Sequence, residues 1–241
     1  MSLLSEAFLK AGHTLANVRR DFPEWHLGRP DYALWALDVD TQAVSQAVAV
    51  AAHHLDGLLL DGYRRQPHIT LALGGFPTAT PTHADDYGPA AFDAHLRALR
   101  SLGLAPFEID IGGLASFTSA PFLSVGDPDG GIQRLHQALG GERPEGRYIP
   151  HVTVGLFSGA WPTAEVLPRL EALADLLPIR CRIERVSLMR YAATEIGGPL
   201  ARLADHDLSS GRLVWRETPP FPSAAGSDIP PPGRKEFIRP L

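Results

Sequence analysis

The stretches QPHITLAL at 66–73 and IPHVTVGL at 149–156 write one phrase twice: proline, histidine, an apolar residue, threonine, an apolar residue, a small residue, leucine. On a β-strand, side chains alternate between faces. His68, Thr70 and Ala72 then share one face, with Ile69, Leu71 and Leu73 on the other. In the second copy His151, Thr153 and Gly155 oppose Val152, Val154 and Leu156. The apolar face suits packing against helices. The other presents an imidazole and a hydroxyl about 6–7 Å apart, two residues of strand rise, and then a small residue that leaves space. Imidazole gives or takes a proton near neutral pH. Two of them on opposite sides of a substrate can act as general base and general acid in one in-line displacement. A phosphodiester fits: one histidine deprotonates the attacking water, the other protonates the departing oxygen, and Thr70 and Thr153 hold the phosphoryl oxygens. Such a reaction requires no metal and no cofactor, and the chain has no carboxylate or cysteine cluster at metal-ligand spacing. One His-x-Thr alone is most simply a half-buried polar pair. Two copies, each after proline and each on an expected strand, favour the chemical reading.

The elements that must position these residues alternate between strand and helix. YALWALDV (32–39) reads as a buried strand that hands over at Asp40-Thr41 to a helix carrying Val44, Ala47, Val48, Ala51 and Leu55, ended by Gly57. The first phrase follows as a strand closed by Gly74-Gly75, and 76–88 reads as a loop. Pro89 opens a helix with Phe92, Leu96, Leu99 and Leu102 on one stripe and Gly103 as its stop. Short strands are expected at 106–114 and 121–127, a helix at 129–139, the second phrase as a strand, a helix from Thr163 to Leu177, and strands at 180–192 and 211–218. The organisation is an N-terminal helical extension and linker (1–30), a two-lobed α+β body (31–218) and a Pro-rich tail (219–241) that reads as extended. With one copy of the phrase per lobe, the duplication implies a pseudo-twofold arrangement with equivalent strands facing each other across a cleft.

Composition narrows the partners. The chain has 241 residues and a formal net charge of −5, so no global field attracts nucleic acid, and phosphate contact must come from a local cluster. Its single cysteine, Cys181, allows no intramolecular disulfide and no cysteine-based zinc site, which points to a reducing cytoplasm. The N-terminal stretch interrupts its apolar residues with Glu6 and Lys10 and reads as an amphipathic helix rather than a secretory signal. No apolar run is long enough to span a membrane.

Around the phrases, Arg64 and Arg65 precede the first, and Arg147 and Tyr148 the second. They are candidates for lining the cleft mouth and drawing in a phosphate, against the plainer reading of solvated loop charges. Phe76, Phe117 and Phe157 near strand ends are candidates for stacking a nucleobase, against the plainer reading of core. Pro67 and Pro150 set strand entry. His53-His54 has no partner at ligand spacing, and the other histidines form no constellation.

The pair PHITL and PHVTV resembles the two His-x-Thr signatures of the two-histidine (2H) phosphoesterase superfamily, with most similarity to the bacterial 2'-5' RNA ligase/cyclic phosphodiesterase (LigT-like) branch, over roughly residues 31–218. The resemblance implies a bilobal fold of two antiparallel sheets around a central cleft, helices outside. It implies metal-free action, with no cofactor, on a 2',3'-cyclic phosphate at an RNA end or on a small cyclic nucleotide; separately, a monomer is expected. His68, Thr70, His151 and Thr153 would form the site, with His68 the acid and His151 the base; the sequence itself leaves those two roles open. Ligation of 2'-5' linked RNA would be a side activity, disfavoured by the concentration of water. The alternatives are a non-catalytic RNA-end or nucleotide-binding module on the same fold, and a two-histidine metal site, which would need a third ligand that the signatures do not offer.

Overall fold

Residues 33–37 are buried without a break, so Asp31–Asp38 (β1) needs a neighbour at each edge and cover on each face. The computed structural model, which describes residues 3–140 and 148–221, supplies both. In chain order the elements are α1 (Leu3–Lys10), α2 (Pro23–His26), β1, α3 (Gln42–His54), β2 (His68–Pro77), β3 (Asp86–Tyr87), α4 (Pro89–Leu102), β4 (Phe107–Ser116), β5 (Pro121–Gly126), α5 (Gly131–Ala138), β6 (His151–Thr153), α6 (Thr163–Glu171), β7 (Ile179–Ile183), β8 (Arg185–Ala192), β9 (Ala201–Asp207) and β10 (Leu213–Trp215). They build a six-stranded sheet, β10-β9-β8-β1-β2-β3, and a four-stranded sheet, β6-β5-β4-β7. All pairings are antiparallel except the two-residue contact of β2 with β3. The α+β class and the two-sheet arrangement are those expected from the sequence. Each signature strand follows the same path, strand–helix–signature strand, as β1-α3-β2 and β5-α5-β6. No helix among the described residues is long and apolar enough to cross a membrane.

The two faces of the six-stranded sheet differ. Ala33, Trp35, Leu37, Ile69, Leu71 and Leu188 join the main core, which also takes in the apolar faces of α3, α4, α5 and α6. The opposite face carries a smaller cluster of Leu34, Ala36 and Met189 flanked by Tyr191 and Leu200. Asp38 pairs with His68 and Ala36 with Thr70, so the first signature lies on this second face.

Several elements depart from the sequence expectation. The run at 180–192 is two strands in different sheets: β7 pairs with β4, and β8 with β1. The buried positions change parity, from Cys181 and Ile183 to Val186 and Leu188, and the chain crosses between sheets where they change. β9 is a strand that the sequence does not announce. Its buried Asp205 and His206 read as loop residues, but Asp205 accepts bonds from Ser187 and Arg216, at 2.6 and 2.7 Å, which makes burial tolerable. The sixth helix stops at Glu171 rather than 177, and the next residues turn back to lay the Leu173 carbonyl on the Leu114 N–H. β2 does not end at Gly74-Gly75 but continues to Pro77 through register shifts. The first shift takes Ala72 out of the His68–Thr70 face to pair with Trp35, and leaves Leu73 49 % exposed. Gly155 opens no space either, because its α-carbon faces Leu59.

The tail expected from 219 onward falls mostly outside the described residues, but its start is docked: Phe221 is 3 % exposed against Tyr87 and Phe92. Phe221→Ala in the full chain is expected to lower unfolding free energy by about 3 kcal/mol, read as a lower urea midpoint with an unchanged slope.

Candidate active site

Both signature imidazoles are gripped in the same way. His68 Nδ1 lies 2.7 Å from the Gln66 carbonyl, and His151 Nδ1 2.8 Å from the Ile149 carbonyl. A carbonyl only accepts, so Nδ1 carries the hydrogen in each neutral ring, and Nε2 is left as the proton acceptor. Neither Nε2 has a protein partner among the described residues. The gripping carbonyl belongs in each case to the residue before proline. Such a residue is held extended by the proline ring, which sets the direction of its carbonyl. This accounts for proline standing in both copies of the phrase.

The two histidines belong to different sheets but come together. β2 and β6 approach within 8 Å, Cα to Cα, and the charge of His151 is felt at His68. Burial first, with smaller contributions from the neighbouring Arg65 and His151, holds the His68 pKa down at about 4 against the opposing bond from Gln66. His68 is 7 % exposed. Burial also lowers the His151 pKa. The His151 ring rests edge-on against Phe117 and tilted on Phe122, at centroid distances of 4.9 and 5.3 Å. Thr70 is half-buried, and its hydroxyl has no protein partner among the described residues.

The signature strands sit at sheet edges over these residues, which leaves backbone groups to satisfy. On β2, the Tyr148 hydroxyl donates to the Thr70 carbonyl at 2.8 Å, and His136 Nδ1 donates to the Leu71 carbonyl at 2.6 Å. The two rings stack on each other, 3.7 Å apart and 12° from parallel. Both come from the segment between β5 and β6, strands of the other sheet. In the opposite direction the Tyr63 phenol, from the loop before β2, stands beside the Thr153 side chain; burial raises its pKa. Gly197, at φ +69°, makes room for the Tyr63 ring, which a Cβ there would meet at 2.8 Å.

The other candidates from the sequence divide. Arg65 stands beside His68: its guanidinium lies 4.1 Å from the Tyr191 ring centre, its Nε donates to the Gly198 carbonyl at 3.4 Å, and it has no carboxylate partner among the described residues. Arg64 faces away, ion-paired to Glu195. Tyr148 is half-buried, with its hydroxyl engaged by the β2 backbone, and it lines a recess with Val125 and Pro150. Phe76 and Phe157 are corrected. They are 1 % and 0 % exposed, Phe76 among Trp25, Tyr32 and Arg29, so neither offers a face to a base. Arg147 lies outside the described residues. Sequence reasoning missed Tyr63, Tyr191 and Gln66. Gln66 clasps Leu200, its amide accepting from the Leu200 N–H at 2.8 Å and donating to its carbonyl at 3.2 Å. No spacing pattern marks such residues, although Gln66 stands inside the first phrase.

The Thermus thermophilus protein TT0787 is 15% identical with a TM-score of 0.48, covering 73% of this chain and 97% of its own. Escherichia coli LigT complexed with 3'-AMP is 16% identical with a TM-score of 0.49, covering 75% and 99%. ATU0111 from Agrobacterium tumefaciens str. C58, a conserved protein of unknown function, is 15% identical with a TM-score of 0.49, covering 84% and 98%. No curated protein matches the sequence. The family described as the 2'-5' RNA ligase superfamily matches residues 37–195, a span that holds both His-x-Thr signatures. Over that span, and with that pair of signatures, the chain belongs to the 2'-5' RNA ligase superfamily of two-histidine phosphoesterases, which cleave or transfer phosphodiesters.

Proposed function

We propose that the protein is a metal-independent 2',3'-cyclic phosphodiesterase acting on an RNA end or a small nucleotide. The observation that carries this reading is the matched pair of Nδ1-anchored imidazoles, His68 and His151, on facing edge strands. Their free Nε2 atoms serve opposite ends of one displacement. One imidazole takes a proton from water as its oxygen bonds to phosphorus; the other gives a proton to the ribose oxygen as the second P–O bond breaks. The hydroxyls of Thr70 and Thr153 donate to the non-bridging oxygens, and Arg65 adds the local positive charge that the chain's overall −5 lacks. The resemblance gives His68 as the acid and His151 as the base. In the free protein burial is deeper at His68, so a proton reaches it once a phosphate anion offsets the Arg65 charge and stabilises imidazolium.

His68→Ala and His151→Ala are each expected to lower kcat on nucleoside 2',3'-cyclic phosphates by about 10²–10⁴, with wild-type turnover unchanged by EDTA. A 4-nitrophenyl phosphodiester needs little protonation of its leaving group, so it should restore activity selectively to His68→Ala. Rescue of His151→Ala instead would reverse the two roles, and binding without turnover by the wild type would favour a non-catalytic binding module.

The active free enzyme carries one proton on the pair. Below about 4, where His68 also protonates, no base remains. Above the lowered pKa of His151 no acid remains. The kcat/KM profile is therefore expected to peak on the acid side of pH 6.5, and a maximum above pH 7.5 would contradict it.

Tyr63→Phe removes the hydroxyl that stands beside Thr153 and is expected to cost about 1 kcal/mol of transition-state binding, several-fold in kcat/KM. In a Thr153→Val background the same change should cost nothing further. Equal losses in both backgrounds would place Tyr63 elsewhere in the reaction.

A further inference from the structure

A recess of about 240 Å³ opens beside His68 on the same face of the six-stranded sheet. Met189 and Leu200 give it an apolar floor, and Asp38, Asp40 and Arg202 line it. Arg202 is already neutralised, its guanidinium 3.0 Å from an Asp38 oxygen. Asp40 is exposed, and its carboxylate is bonded to the Ser45 hydroxyl. The recess therefore carries a net negative charge. Arg65 does not line the recess; its guanidinium packs over Tyr191, which stands two residues along β8 from Met189 on the same face. Charge around His68 is thus split, with an unpaired cation on one side and acid on the other.

Resting on the cyclic phosphodiesterase reading, we infer that this recess is the subsite for the nucleoside of the substrate, and that Asp38 and Asp40 select a nucleoside bearing no second phosphate. The phosphate under attack is drawn to the Arg65 side. The sugar and base turn toward the recess, whose volume and apolar floor suit one nucleoside. A 5'-phosphate on that nucleoside would stand at the mouth of an acidic hollow, where repulsion at separations near 8 Å amounts to about a tenfold loss. An RNA end carries such a phosphate on its last residue; a free nucleoside 2',3'-cyclic phosphate does not. Among the described residues no arginine but Arg202 lines the recess: Arg64 and Arg19 are drawn to Glu195, and Arg29 is held by Asp85 and Asp86.

The test compares adenosine 2',3'-cyclic phosphate with its 5'-phosphorylated form in the wild type and in Asp40→Asn and Asp38→Asn. Calorimetry on adenosine 2'-phosphate and adenosine 2',5'-bisphosphate runs in parallel. The expected result is about a tenfold preference for the compounds without a 5'-phosphate, in both kcat/KM and affinity, falling to about threefold or less in either variant. Equal handling of both compounds by the wild type overturns the inference. So does a preference that survives both substitutions, since the selecting charge would then lie outside the recess. If neither cyclic compound is hydrolysed but the 2'-phosphate still binds about tenfold tighter than the bisphosphate, the cyclic phosphodiesterase reading fails and the subsite stands. Failure of both 2'-phosphates to bind removes the subsite.

Discussion

The paired imidazoles depend on a short bond made twice, from Nδ1 to the carbonyl two residues earlier. A histidine on a strand edge is otherwise free to rotate and to exchange tautomers. Anchoring Nδ1 removes both freedoms, and each ring then offers one defined lone pair at Nε2. The anchor needs a carbonyl turned toward the ring from a residue of fixed conformation, and an X–Pro unit supplies that without disturbing the packing. Proline, histidine and threonine are thus one device: a rigid backbone grip, a proton-transfer group and a hydroxyl on the same face. Losing the proline would leave the imidazole in place but undirected.

Two directed imidazoles are useful only at a fixed separation, and the fold solves that with its edge strands. β2 beyond β1 and β6 beyond β5 leave backbone and side-chain polar groups without a neighbouring strand. An open edge of this kind is usually blunted by charge or a covering loop. On β2 the groups that satisfy it come from the opposite lobe: Tyr148 and His136 on the carbonyls of Thr70 and Leu71. The shift in register at Leu71 brings two consecutive carbonyls to the same edge, where the stacked Tyr148–His136 pair meets both. What closes the β2 edge also spans the lobes, so the same hydrogen bonds tie the two signature strands together.

The four signature residues and their faces were legible in the sequence because alternation is local: His68 and Thr70 needed only their own strand to be placed on one side. The same rule failed one residue later. Ala72 turns to the core because a bulge is decided by the partner strand, and β1 gives no local sign of it. The 180–192 run failed in a different way. Its residues are uniformly strand-like, and only the parity change after Ile183 marks a crossing between sheets. β9 was hidden by composition, since Asp205 and His206 look like loop residues until Ser187 and Arg216 are known to stand beside Asp205. Phe76 and Phe157 were placed near the cleft by sequence distance alone, and burial, not proximity along the chain, decides what an aromatic ring can touch.

Electrostatics completes the logic. A chain of net charge −5 that handles an anion must concentrate positive charge where the anion lands. Arg64 and Arg202 are each ion-paired with a carboxylate, which weakens their pull on an anion. Arg65 differs: packed on Tyr191 and without a carboxylate among the described residues, it keeps its charge while disfavouring a proton on His68. That penalty is reversible. An anion beside Arg65 cancels the repulsion and adds attraction for imidazolium, so binding of the anion and protonation of the histidine reinforce each other. Burial and Arg65 thus hold His68 neutral near pH 7, and on the proposed reading an anion bound beside Arg65 is what lets it carry a proton.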